Sequence, residues 1–369
     1  MKKILTTLIF VFFTLTVFSQ DIITDRLKSL TDSQQYGIII YEYSSKYENY
    51  SSKSLYYVGH AYYMKEDDMN CLKFMDLSIK KDSSNHASHY IKGSTFNYMG
   101  KYKEAIQSLK TAISIKPDDA LFYSGIGDSY YNLNEYELAL ESYKKATGLD
   151  QCPDRPFLMI GQIYSELNRS NDALQAYYTA KSRIEKNSDS YISTLFNIGL
   201  LEYLKNNFEQ SEFSFLQVLQ LTPDDYQSMA KLVQVYHGKK DYEKAASYKS
   251  LLYGAHKSGL LSGELKDKFC FDQFKWGDYS IQVFERFEDE NKGKIYNKHI
   301  FYLIDKDGEI VLSVQTEFSP FSVSLGGPKY LLCASKNGAH YNPGIGFNDD
   351  LKYDDLKSHA IKLFERYAK

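Results

Sequence analysis

Three glycines stand thirty-four residues apart inside stretches that otherwise read as helix: Gly93, Gly127 and Gly161. In ALFYSGIGDSYYN, Tyr123, Ile126, Gly127 and Tyr130 fall at i, i+3, i+4 and i+7 and share one helix face. After a break around Asn132 to Glu135, Ala139, Tyr143 and Ala146 make the matching stripe on a second helix. A mid-helix glycine costs ~1 kcal/mol against alanine, so these positions are kept small for a packing reason: two helices cross closely there. A pair of short helices cannot hide its own apolar stripe and must stack on copies of itself.

The copies are present. One period earlier lie Gly93, Phe96, Ala105, Leu109, Ala112 and Pro117, and one period later Ile160, Gly161, Tyr164, Ala173, Tyr177 and Ala180. A further step back gives Val58, Gly59 and Tyr62, with Cys71 in the small slot of the second helix, a packing position rather than a reactive one. After the Gly161 unit the register slips by four residues, at the polar EKNSDS, and resumes with Ile198, Gly199, Phe215 and Pro223. A sixth, weaker copy runs through Leu232, Tyr236, Tyr242, Ala245 and Leu252, with Val233 where the glycine stands elsewhere; Ser211 takes the small slot of the fifth.

This pattern resembles the tetratricopeptide repeat family over Ser52 to Gly259. The resemblance implies an α-solenoid of helix-turn-helix repeats, six of them over 52–259, whose first helices line a concave wall that binds an extended peptide or protein partner. Carried onto this chain, the family's inward slots are Tyr56, His60, Tyr63, Tyr90, Asn97, Tyr98, Asp128, Tyr131, Gln162, Phe196 and Tyr203, with Ser94 among them. That wall is aromatic and polar, not basic. Members that clamp a carboxyl terminus use lysine, asparagine and arginine there, since carboxylates need charged donors; of the residues named, only Asn97 fits. The stretch 20–51 is expected to cap the array as helices.

The first residues, MKKILTTLIFVFFTLTVFSQ, place two lysines before an apolar run shorter than the ~20 residues a membrane-spanning helix needs. They read as a signal peptide over 1–19, cleaved after Ser19, and predict an exported, periplasmic or secreted protein with no membrane span after removal. Hydrophobic residues at 43% and charged residues at 25% are ordinary globular usage, which argues against wholesale disorder and a multi-span membrane protein. The formal charge of −3 argues against nucleic acid as a partner. Four cysteines, Cys71, Cys152, Cys270 and Cys333, lack the spacing of a disulfide framework. A Cys270 to Cys333 bridge and four small packing side chains are the two alternatives.

Beyond a linker at 260–267 the period changes to two. YSIQVFERF, HIFYLID, EIVLSVQTEF and KYLLCAS read as strands, with KDG turning the hairpin between the second and third. YDDLKSHAIKLFERYAK places Leu356, Ala360, Leu363, Phe364 and Tyr367 on one face of a closing helix. The expectation over 268–369 is a small α+β domain with an antiparallel sheet, of no recognised family. DKDGE lacks the later ligands of a calcium loop. FYLIDKDGEI is similar to the hairpin of thioredoxin-like proteins, but no cysteines stand two residues apart. Cys333 and His340 are a poor nucleophile and base, because Cys333 lies mid-strand among apolar residues. NGAHYNPGIGFND reads as a loop.

No catalytic, cofactor-binding or metal-binding residues are assigned. The function expected is an exported adaptor or scaffold that holds its partner in the groove without catalysis. The alternative is an enzyme whose C-terminal domain carries the active site, with groups such as Glu317 or His340, and whose repeats recruit substrate.

Overall fold

The computed structural model describes residues 22–287, 299–318, 330–336, 339–347 and 352–368; the leader expected at 1–19 lies outside them. The described helices pair in order. Helix α1 (22–32) precedes α2 (Tyr36–Tyr43), and six pairs follow: α3 (Ser52–Tyr63) and α4 (Asp68–Lys81), α5 (His86–Tyr98) and α6 (Tyr102–Ile115), α7 (Ala120–Asn132) and α8 (Tyr136–Thr147). Then come α9 (Asp154–Glu166) and α10 (Ser170–Arg183), α11 (Asp189–Leu204) and α12 (Phe208–Leu221), α13 (Tyr226–Lys239) and α14 (Tyr242–Lys257). None of the described helices is long and apolar enough to cross a membrane.

Local chemistry sets both ends of these helices. Ser51, Asn85 and Asp119, each thirty-four residues from the next, accept a backbone N–H in the first turn of α3, α5 and α7, and Asp225 does the same for α13. Between the helices of each pair one residue adopts positive φ: Glu66, Gly100, Asn134, Asn168, Asn206 and Lys240. These positions repeat the sequence period, including the four-residue slip before Asn206. Glycine and asparagine enter the left-handed region at low cost, whereas glutamate and lysine do so under strain.

The glycines do face a neighbouring helix, but what they accommodate is a large side chain, not a second small residue. A Cβ on Gly127 would lie 2.6 Å from the Tyr143 ring, one on Gly161 2.6 Å from Tyr177, one on Gly93 2.6 Å from Leu109, and one on Gly199 2.8 Å from Phe215. The partner is always sixteen residues on, so one contact recurs through the array. Tyr143, Tyr177, Leu109 and Phe215 are fully buried, each contributing roughly 1.5–3 kcal/mol of burial. The small residues of the second helices, Cys71, Ala105, Ala139, Ala173 and Ser211, are also inaccessible. Ser211 donates its hydroxyl to the Gly199 carbonyl at 2.7 Å, and Cys71 lies 3.2 Å from the Thr95 hydroxyl.

The chain forms two compact units, the first ending at Tyr191 and the second starting at Ile192. In the first, α1 and α2 bury Leu27, Leu30 and Ile39 against Leu55, Val58, Ala61 and Phe74. In the second, six antiparallel strands follow the helices in simple meander order: β1 (Lys268–Trp276), β2 (Tyr279–Arg286), β3 (His299–Ile304), β4 (Ile310–Phe318), β5 (Tyr330–Lys336) and β6 (Ala339–Phe347). The last element is α15 (Tyr353–Tyr367). The KDG turn is a tight hairpin whose Asp305 carboxylate accepts the N–H groups of Asp307 and Glu309, both at 2.9 Å. Strand β6 corrects the loop reading of NGAHYNPGIGFND. Its proline and glycines lack strand propensity, and pairing with β5 overrides this. The sheet and the sixth helix pair share one core: Met229, Ala230, Val233 and Leu252 pack with Phe269, Phe271, Ile281 and Val283, and Leu356, Ala360, Leu363 and Phe364 of α15 close it. Leu261 and Leu265, from the stretch read as a linker, are buried in the same core. None of the four cysteines forms a disulfide.

Two substitutions test this packing. Gly127→Ala drives a methyl into a tyrosine ring that has no room to move, and is expected to lower stability by about 1–3 kcal/mol in denaturant unfolding despite its better helix propensity. Lys240→Gly relieves a left-handed lysine and is expected to raise stability by about 1 kcal/mol.

Candidate partner-binding surface

In the first unit the inward slots of α3 and α5 gather a group of rings. His60 is the centre, with Tyr56 at 5.8 Å, Tyr36 of α2 at 5.9 Å and Tyr63 at 6.4 Å between ring centroids. Tyr90 stacks at a tilt on Phe122, 5.3 Å away, and joins Tyr56 and Tyr63 around Cys71, Met75 and Ile91. Burial raises the phenol pKa of Tyr56 to about 12 and also pushes up those of Tyr63 and Tyr90. Burial lowers the imidazole pKa of His60, whose Nδ1 is buried without a hydrogen-bond partner. At neutral pH this stretch of wall is uncharged. Tyr98, at the end of α5, is 69% exposed.

Further along the unit the polar slots bond from one first helix to the next. Asn97 donates to the Gly125 carbonyl at 2.8 Å and accepts the Ser129 hydroxyl at 2.6 Å, tying α5 to α7. Asp128 accepts from the Tyr143 hydroxyl at 2.6 Å and from Arg155 Nε of α9 at 2.8 Å. Gln162 donates to the Tyr131 hydroxyl at 2.7 Å, again joining α9 to α7. These hydrogen bonds and the Asp128–Arg155 ion pair hold successive first helices in register. They leave the ring faces, rather than charges, as what the surface offers.

Phe196 and Tyr203 belong to the second unit. Phe196 packs edge-on against Phe215 at 5.4 Å, and Tyr203 against Phe208 at 5.8 Å. Burial drives the Tyr203 phenol pKa well up, with Asp272 and Cys270 of β1 near enough to raise it further. In the sixth repeat the equivalent inward positions are Gln234 and His237. Gln234 is 2% exposed and bonds the Cys270 thiol, and the His237 ring meets Phe271 at 5.1 Å. The slot reading passed over Tyr36, Arg155, Gln234 and His237: Tyr36 and Arg155 lie outside the inward slots, and the last two come from the weakest copy. The side chains of Glu317 and His340 lie outside the described residues.

The model of the TPR repeat matches residues 93–134, and that of the tetratricopeptide repeat matches 120–151, 155–187 and 192–225. The helix pairs of this region are tetratricopeptide repeats. No curated protein matches the sequence. Among solved structures, the chain is similar to Pseudomonas aeruginosa pilF (16% identity, TM-score 0.49, covering 56% of this chain and 92% of that one). It is similar also to PilW, described as a widely conserved type IV pilus biogenesis factor (14%, 0.48, 58% and 96%). YrrB, described as a TPR protein with an unusual peptide-binding site, is a third (17%, 0.40, 56% and 97%). At these identities the likeness is one of fold.

His60 makes a pH signature. Its folded-state pKa lies below the unfolded value near 6.5, so the unfolded chain binds protons first on acidification. The contribution is full above about pH 6.5 and is lost as the pH falls through the folded value. His60→Phe is therefore expected to shrink the drop in thermal midpoint between about pH 7.5 and about pH 5.5. An equal drop in both proteins would show that the imidazole is not a source of acid sensitivity.

Proposed function

We propose that this protein is an exported, non-catalytic scaffold whose tetratricopeptide repeats hold an extended segment of a protein partner on the ring-lined inward slots of the first unit. The observation that carries the reading is the electrostatic character of those slots. His60 is kept neutral by burial, Asp128 is paired with Arg155, and Asn97 and Gln162 are committed to neighbouring repeats. What remains for a partner is tyrosine: a broad apolar face, one hydroxyl and two rotatable bonds, hence contact area at low ordering cost. The leader-like first residues support export. Among the described residues of the second unit, Asp272 is engaged internally by Tyr353 and Lys357, and Glu285 by Lys249 and Tyr253. This favours a scaffold over an active site in that domain.

The test is a photo-crosslinking residue placed at Tyr98, compared with the same residue at Tyr178 on α10, with partners captured in the native host. An adduct specific to Tyr98, abolished by Tyr56→Ala, Tyr90→Ala and Tyr131→Ala together, is the expected result. The complex is expected to survive raised salt, because screening acts on charges and not on ring contacts. Identical adducts from both positions would defeat the surface assignment. Mass spectrometry of the exported protein is expected to find Gln20 as its first residue.

A further inference from the structure

One two-ring arrangement recurs at three repeats. The ring in an inward slot meets the ring at the start of the second helix, five residues on: Tyr131 and Tyr136 at 5.7 Å, Tyr203 and Phe208 at 5.8 Å, His237 and Tyr242 at 5.3 Å. The intervals between these pairs are those of the repeat, slip included, so they are equivalent positions.

In the second unit the slot ring of the third pair, His237, is met by the chain itself, while Tyr242 stays exposed. Phe271 of β1 lies 5.1 Å from the His237 ring, on a strand that runs beside α13. The contact is not confined to one ring. Cys270, the residue before Phe271, is bonded by Gln234, and its thiol is raised to about 11 by burial. Ala230 and Val233 of the same helix pack with Phe269 and Phe271 in the shared core. An extended segment with aromatic side chains is therefore a fitting occupant of this surface. The reason is steric and electronic: the pleat sends alternate residues to one face, and the edge of one ring meets the face of another favourably. Strand β1 also stands first in the sheet order, so the helix protects an edge that would otherwise pair with other chains.

The equivalent pair in the first unit, Tyr131 with Tyr136, keeps both rings partly exposed. Gln162 holds the Tyr131 hydroxyl, which fixes the ring without covering it. We propose that the Tyr131 ring receives an aromatic side chain from the extended partner segment, in the manner that the equivalent His237 ring meets Phe271. The inference rests on the scaffold reading and adds to it the anchor residue of the partner.

The test uses the full-length protein and a fluorescent peptide with the sequence of β1, Lys268 to Trp276, carrying Cys270→Ser. Anisotropy is expected to show saturable binding. A peptide with Phe269, Phe271 and Phe274 all changed to serine is expected to bind about tenfold more weakly or worse. In the protein, Tyr131→Ala is expected to cost a similar factor, and Tyr131→Phe, which keeps the ring and guards against misfolding of the alanine variant, to bind within about twofold of the parent. Equal binding of the two peptides, no binding of either, or binding unchanged by Tyr131→Ala overturns the proposal. Should the Tyr98 adduct form while the peptide experiment fails, the aromatic anchor alone is refuted and the scaffold reading stands. Loss of the Tyr98 adduct with the peptide result intact refutes the assignment of the wider surface instead.

Discussion

The contact between a glycine on one helix and a bulky side chain sixteen residues later is the constraint on which the array depends. A two-helix unit of about thirty residues has too little apolar surface to fold alone. Its helices must approach closely enough for Leu109, Tyr143, Tyr177 or Phe215 to be enclosed, and any Cβ on the facing position would hold them apart. In the sixth repeat Val233 replaces the glycine. There Lys249 stands sixteen residues on, and its amine reaches out of the pair to Glu285 at 2.6 Å. The glycine contact thus ends where the array meets the sheet.

From that packing follows what the inward slots can do. Once the first helices are stacked, Asn97, Asp128 and Gln162 lie within reach of the next repeat, and pairing there is better than leaving them half-desolvated without partners. The wall that results is rigid and nearly free of unpaired charge. Rigidity and rings together favour a partner that arrives extended and contributes side-chain faces, since little has to be ordered on the scaffold's side. The second unit shows such a segment in place, supplied by the chain's own first strand.

The helix pairs, four of the strands and the closing helix were legible in the primary structure, because each rests on a period: thirty-four for the array, two for the strands, three to four for α15. Two strands were not legible. In β1 the alternation is broken by a bulge between Cys270 and Asp272, and in β6 glycine and proline mask an edge strand whose only support is β5. The inward positions could be named from the repeat register, but not what would stand beside each. Tyr131 and Tyr203 are equivalent by sequence and both partly exposed, yet Gln162 of the next first helix holds the one, whereas Asp272 and Cys270 of β1 stand near the other.

Sequence alone determined the repeating unit, since periodicity is a property of residue order and the burial demand of a small amphipathic helix pair is independent of its surroundings. Tertiary structure decided which side chain each glycine shelters, how the polar slots are paired, and that the last repeat shares its core with the sheet. Those outcomes depend on distances between residues far apart in the chain, from Gln234 to Cys270 or from Lys249 to Glu285, and no local pattern encodes them.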